Sequence, residues 1–196
     1  TKVDEVLSLV RETRPDVIIN CAAHTNVDKC EEQWNLAYQI NAIGPRNLSI
    51  AATEVDAKMI HVSTDYVFEG NGTRPYTEFD APNPVSAYGK TKLEGENFVK
   101  AFAKKYYILR TAWLYGDGKN FVKTMLMLTE TKPQLKVVFD QCGTPTYALD
   151  LARLIFDILE DSKFEGNTGI YHYSNEGVCS WYDFTMMIAR MAKHDK

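Results

Sequence analysis

The sequence has 196 residues, 45% of them hydrophobic, with 22 Lys and Arg against 26 Asp and Glu, which leaves a formal charge of −4 at neutral pH. That length and apolar content suit one soluble domain, or one and a half, and the mild acidity excludes a broad nucleic-acid or anionic-membrane surface, which needs clustered Lys and Arg. No stretch approaches the about 18 uninterrupted apolar residues of a membrane span, and the first residues lack the pattern of a secretory signal. Cys21, Cys30, Cys142 and Cys179 show no C-x-x-C spacing. They suggest neither zinc nor a disulfide framework and are expected to be reduced thiols of a cytoplasmic protein, with no metal.

Taken in chain order, Val3, Val6, Leu7 and Val10 fall at helical spacing, and Pro15 stops that helix before the apolar run Val17-Ile18-Ile19, which predicts a strand. Helical periodicity follows from Glu31 to about Ala52 with a break expected at Gly44-Pro45, then a strand at 59–62. A helix is predicted from Ser86 to about Lys104, a strand at 106–109, a helix over 121–131 and a strand at 135–138. The last elements are a helix over 147–160, an extended stretch at 169–173 and a helix over 181–193. Strands that alternate with helices point to a doubly wound parallel sheet, an α/β class in which ligands sit beyond the carboxyl ends of the strands. The chain opens on a helix, and no G-x-G-x-x-G turn occurs in it. The expectation is therefore a fragment: a nucleotide-binding domain over 1–118, truncated at its start, and a mixed segment over 119–196 that adds to a substrate domain and to the last elements of the sheet.

The strand ends carry the chemistry. The first strand runs into Asn20-Cys21-Ala22-Ala23-His24-Thr25, where small residues let another group approach the backbone. The second runs into Ser63-Thr64-Asp65-Tyr66-Val67-Phe68, which sets hydroxyls and a carboxylate at a strand end. Tyr88 and Lys92 form a Tyr-x-x-x-Lys, and on a helix residues four apart share a face. An ammonium beside the phenol favours phenolate, which lowers a pKa ordinarily near ~10 and makes the group a usable acid or base near neutral pH. Alone, such a pair falls by chance on many surface helices. Its company here is a hydroxyl-bearing strand end upstream and Arg110-Thr111-Ala112-Trp113-Leu114-Tyr115-Gly116 downstream.

With those stretches, and with Ser86 to Glu96 and Asp140-Gln141-Cys142-Gly143-Thr144-Pro145-Thr146, the sequence resembles the dTDP-4-dehydrorhamnose reductase family of the extended short-chain dehydrogenase/reductase superfamily, from near residue 1 to about residue 190. The resemblance implies a Rossmann-like sheet with part of a smaller substrate domain. It implies reduction of the 4-keto group of dTDP-4-dehydro-L-rhamnose by NADPH or NADH, and it allows a homodimer. Carried over by position, Tyr88 is the catalytic acid, Lys92 lowers its pKa and holds the nicotinamide ribose, and Thr64 polarises the carbonyl. Thr64 and Asp65 match the sugar-contacting pair, Trp113 an aromatic wall of the sugar site, and Ala22, Ala23, His24 and Thr25 the cofactor side. Asn41 resembles a helix asparagine that holds a proton-relay water.

Plainer readings stand beside these. Asp65 can serve only to turn the chain, Trp113 can be core, and the segment from Gly177 to Phe184 reads best as an amphipathic helix capped by Ser180. A regulatory subunit like the beta subunit of methionine adenosyltransferase is the alternative function. An epimerase or dehydratase is disfavoured, since Thr64 is followed by Asp65 and then Tyr66-Val67 rather than by a carboxylate pair.

Overall fold

Val17, Ile18 and Ile19 are β-branched and lie between Pro15 and a polar strand end, too short a run for a helix; they form β1 (Val17–Asn20). In the computed structural model, which describes residues 1–161 and 165–194, β1 begins a four-stranded sheet in the order β1-β2-β3-β7, with β2 at Lys58–Thr64, β3 at Tyr106–Thr111 and β7 at Gly169–His172. Parallel register sets Ile19 beside Ile60 and Ile108 beside Ile170. The strands belong to a compact unit made of Thr1–Arg110 and Asp161–His172, while Thr111–Glu160 and Tyr173–Lys196 form a second. This division falls eight residues before the boundary expected at 118, and the chain returns to the first unit to lay down β7.

In the first unit α1 (Val3–Thr13) ends at Arg14, whose left-handed backbone (φ 45°) closes the last turn onto the Val10 carbonyl. Between β1 and β2 run α2 (Val27–Glu32), α3 (Trp34–Tyr38), a π turn (Gln39–Ile43) and α4 (Gly44–Glu54). The helical stretch does not break at Gly44-Pro45. Gly44 is helical, and Pro45 lies in the first turn of α4, where a missing N–H costs nothing. The irregularity falls earlier, in the π turn, whose Asn41 carbonyl lies where a Cβ on Gly95 would be, 2.2 Å away. A glycine at 95 is what lets α5 (Ala87–Phe102) approach that closely.

Ala52 of α4, Met59 of β2, Val99 of α5 and Ile108 of β3 are fully buried against one another, with Ile18, Leu48 and Ile170 around them. This cluster seats α4 and α5 on one face of the sheet. Because side chains alternate along a strand, Ile60, Tyr107 and Leu109 point to the other face and are buried too.

The second unit carries α6 (Phe121–Thr131), α7 (Ala148–Glu160) and α8 (Trp181–Met191). Two short ladders join β4 (Leu114–Tyr115) to β6 (Thr146–Tyr147) and β5 (Cys142–Gly143) to β8 (Cys179–Ser180). Ser180 and Asp183 cap α8 reciprocally. The strand expected at 135–138 is a correction: Leu135 and Val137 are half-buried and their neighbours exposed, so the alternation is present, but the segment pairs with no strand among the described residues. It is tied instead to the start of α8, where the Tyr182 N–H donates to the Val138 carbonyl. Among the described residues no helix is long and apolar enough to cross a membrane.

Candidate active site

β2 ends at Thr64, and the chain turns at once through a single 3₁₀ turn, Asp65–Val67. The Thr64 hydroxyl donates to Asp65 Oδ1 (3.0 Å) and accepts the Tyr66 N–H (3.2 Å), which fixes its rotamer. α5 starts at Ser86, whose side chain caps the Gly89 N–H. A Cβ on Gly89 would meet the Tyr66 carbonyl at 2.1 Å. Glycine there allows the first turn of α5 to press on the turn after β2, and this brings the neighbouring Tyr88 to Thr64. The Tyr66 ring meets the Tyr88 ring edge-on at 5.5 Å. One helical turn on, Lys92 Nζ donates to the Val62 carbonyl at 2.7 Å. Thr64, Tyr88 and Lys92 are thus gathered at the carboxyl edge of the sheet, all buried, Lys92 at 2% exposure.

Burial dominates the titration of these groups. It pushes the Tyr88 phenol up to about 12, against the nearby Thr64 hydroxyl, which favours phenolate, and the Asp65 carboxylate nearby adds to the rise. It pulls the Lys92 ammonium down to about 8, with Glu96 opposing. The expected lowering of the phenol by Lys92 is therefore absent from the chain by itself, because the ammonium is turned to the Val62 carbonyl and desolvation outweighs its field. Asp65 is raised to about 6, again by burial, with the Thr64 hydroxyl and backbone N–H groups opposing.

Beyond β1, the Ala22 N–H donates to Asn20 Oδ1 (3.1 Å), and the Asn20 amide meets His61 Nδ1 (3.0 Å). Ala22 and Thr25 are exposed, Ala23 and His24 half-buried. Asn41, fully buried, clasps this loop: its oxygen accepts the His24 N–H (2.8 Å), and its amide donates to the His24 carbonyl and to Thr91 Oγ1 (both 3.1 Å). Thr91 in turn donates to the Tyr88 carbonyl. Both amide hydrogens of Asn41 are thereby committed to the protein, so it ties the β1 loop to the first turn of α5 rather than presenting them to a water. The His24 ring lies within 3.3 Å of Gln33 Oε1 and 3.6 Å of Cys30 Sγ, a wall position rather than an acid's.

Trp113 belongs to the second unit. Its backbone is left-handed (φ 48°), its indole stacks on Trp181 with centroids 3.5 Å apart, and a Cβ on Gly143 would come within 2.6 Å of it.

Three residues close behind the site, Ser63, Glu96 and Arg110, were not singled out by sequence reasoning. Glu96 accepts from Ser63 Oγ (2.5 Å) and pairs with Arg110 through Nε (3.0 Å) and Nη2 (2.7 Å), with no exposure of its own. The signal that could have found them is a glutamate four residues after Lys92, on the same helix face, and an arginine ending an apolar strand. Among the described residues no cluster of His, Cys, Asp or Glu could hold a metal ion.

A parallel sheet whose carboxyl edge gathers two hydroxyls, a buried phenol and a buried ammonium defines a Rossmann-like α/β protein with its site at the strand ends. The model of the RmlD substrate binding domain matches residues 1–196, and the chain belongs to that family. It is 47% identical over 176 residues to the spore coat polysaccharide biosynthesis protein SpsK of Bacillus subtilis (strain 168), covering 89% of this chain and 60% of that protein. It is 43% identical over 190 residues to dTDP-4-dehydrorhamnose reductase of Escherichia coli (strain K12), covering 96% of this chain and 64% of the other. The chain thus spans less than two thirds of the length of these relatives. The crystal structure of a dTDP-4-dehydrorhamnose reductase from Clostridium acetobutylicum superposes with a TM-score of 0.95 at 58% identity, over 99% of this chain and 68% of that one. The enzyme of that name from Bacillus anthracis, in complex with NADP, does so with 0.92 at 46% identity, over 98% and 68%.

Proposed function

We propose that this chain carries the proton-delivering site of an NAD(P)H-dependent reductase that converts dTDP-4-dehydro-L-rhamnose to dTDP-L-rhamnose. The observation that carries the reading is the gathering of Thr64, Tyr88 and Lys92, all buried, at the sheet's carboxyl edge. Relatives named for that reaction, and a neighbour of that name holding NADP, supply the substrate and cofactor class.

The residues present fit the nicotinamide half of such a cofactor. Ala22 and Ala23 leave the strand end open, and one of the three ammonium hydrogens of Lys92 goes to Val62, leaving donors for ribose hydroxyls. When bound, the dinucleotide supplies the hydride. Tyr88, whose phenol keeps its proton at neutral pH, delivers that proton to the oxygen on C4 as it becomes an alkoxide, a much stronger base than phenolate. Thr64, once its one hydroxyl hydrogen turns from Asp65 Oδ1, donates it to the same oxygen, an oxyanion-type stabilisation. Lys92 orients the ribose and stabilises the phenolate left behind; Asp65 contacts the sugar; His24 and Thr25 complete the cofactor side with Ala22 and Ala23; and Trp113 keeps the sugar-wall role that its place in the motif implies. A homodimer in the cytoplasm belongs to the same reading. No observation favours the regulatory-subunit alternative.

The test, made in the full-length protein, is Tyr88→Phe, which removes the transferable proton and little else. Turnover should fall by about 10²–10⁴ while NADPH affinity, followed by nicotinamide fluorescence, stays within twofold. A variant that keeps more than a tenth of the rate sinks the assignment.

A further inference from the structure

The two long charged side chains on the buried face of α5 grip consecutive residues of β2. Lys92 donates to the carbonyl of Val62, and Glu96, one turn later, accepts the hydroxyl of Ser63. The next residue is Thr64. The polypeptide is thus clamped at 62 and 63 immediately before the hydroxyl that faces the reacting oxygen. Arg110 of β3 holds the Glu96 carboxylate from the other side with a two-pronged bond, and its guanidinium lies 5.1 Å from the centre of the Phe68 ring.

Packing alone does not call for an ion pair here. A buried pair can often be replaced by apolar residues of equal volume without loss of stability, because both charges must be stripped of water. This pair is also imperfect, for Arg110 Nη1 finds no hydrogen-bond partner among the described residues. The feature that a neutral pair would lack is a negative charge close to Lys92. Residues four apart on a helix have neighbouring side chains. Among the groups that act on the ammonium, Glu96 comes ahead of Cys21 in favouring its charge. His61 of β2 is acted on by Lys92 and is itself pushed well below the ordinary histidine range by burial. Asp65 in the 3₁₀ turn, Cys30 of α2 and Tyr66 act on Tyr88.

We propose that Glu96 is a positioning residue of the site: anchored by Arg110, it supplies the counter-charge that keeps Lys92 an ammonium at working pH, and through Ser63 it fixes the strand end that presents Thr64. This rests on the reductase reading for its consequence, but not for its test. Lys92 remains charged in a place where burial works against charge, and it can then hold a ribose and stabilise a phenolate.

The experiment reads Lys92 without turnover. Carbon-13 NMR of the lysine Cε carbons, with the Lys92 signal assigned by its loss in Lys92→Arg, gives the titration midpoint in the protein and in Glu96→Gln. The amide keeps the size of the carboxylate, removes the counter-charge and leaves Arg110 as a second cation nearby. The midpoint should fall by about one to three pH units. Ser63→Ala should leave the midpoint within a few tenths of a pH unit of its original place while lowering turnover, since it loosens the strand end and leaves the charge. If Glu96→Gln does not fold, Glu96→Gln with Arg110→Gln removes both charges, and the midpoint should still fall, by less. An unmoved midpoint in the folded variant overturns the inference, as does an equal change in Ser63→Ala, which would make the effect one of structure rather than charge. Retained activity in Tyr88→Phe would defeat the reductase reading and leave the Lys92 titration as it stands.

Discussion

The same helix and the same strands build two unlike regions. Toward the amino ends of β2 and β3, Met59 and Ile108 meet Val99 and Ala103 of α5 in a wholly apolar cluster. A few residues along, toward the carboxyl ends, Lys92 meets the Val62 carbonyl and Glu96 meets Ser63 and Arg110, with equal burial. The first region gains stability from every group it hides from water. The second gives some of it up, since a buried ammonium, a raised carboxyl and an ion pair are each disfavoured by desolvation. The contrast teaches that the apolar end holds the sheet and helix rigid enough for the polar end to keep charged groups in fixed places, as a site that must be ready before its substrate arrives requires.

Substitutions can break that comparison at either end. Met59→Ala should have the largest effect on stability, about 2–5 kcal/mol in urea unfolding, because Met59 is fully enclosed and the hole cannot fill. Activity per folded molecule should be unchanged; a loss of turnover at constant stability would show that the two ends are not separable.

Asp65→Asn should act with the opposite sign. The folded carboxyl titrates at about 6 and the unfolded one near its ordinary value, so the folded state binds the extra proton in between. Stability is therefore greatest below the unfolded value and is lost as pH rises through about 6. The variant should lack that slope and gain, at pH 7, up to about 3 kcal/mol, since raising a pKa by one pH unit corresponds to about 1.4 kcal/mol. Parallel stability curves for the two proteins between pH 4 and 7 would show that Asp65 is not penalised at this end.

Arg11→Gln should do least. Its bond to Glu54 links α1 to α4 on the outside of the apolar end, where both side chains are well exposed. A pair in water holds little free energy. No measurable change in Tm is expected at 150 mM salt, and a fall of several degrees would mean that this end relies on its surface.

How much of this was legible follows from which forces are local. The strands at 17–19, 59–62 and 106–109 and the helix over 121–131 were readable because apolar period and breakers act within a few residues, and α6 runs from Phe121 to Thr131 as the pattern has it. Leu135 to Val138 has the pattern of a strand but lacks a partner, and pairing is a property of the whole fold. Gly44-Pro45 reads as a break only if proline needs an N–H, which it does not in a first turn. For the site, Thr64, Tyr88 and Lys92 stand in readable motifs, and their meeting depends on Gly89 letting α5 touch the Tyr66 carbonyl. Lys92 turns to Val62 rather than to the phenol, and this was illegible because it depends on where a backbone carbonyl of another element ends up. Glu96 was missed for the same reason: its partners are 33 residues upstream and 14 residues downstream.

The π turn at Gln39–Ile43 has a consequence for the phase of the chain. A π turn accommodates one residue more than an α turn, so every side chain after it is rotated by roughly 100° from where an uninterrupted helix would carry it. Ala37 before the turn is packed with Ala87 and Tyr88, whereas Leu48 and Ala52 after it reach Met59 and the sheet. One continuous rod with a single apolar stripe could not serve both neighbours. The extra residue works as a gear change, and a one-residue deletion between 39 and 43 would leave every amino acid chemically suitable and half of the helix facing the wrong way.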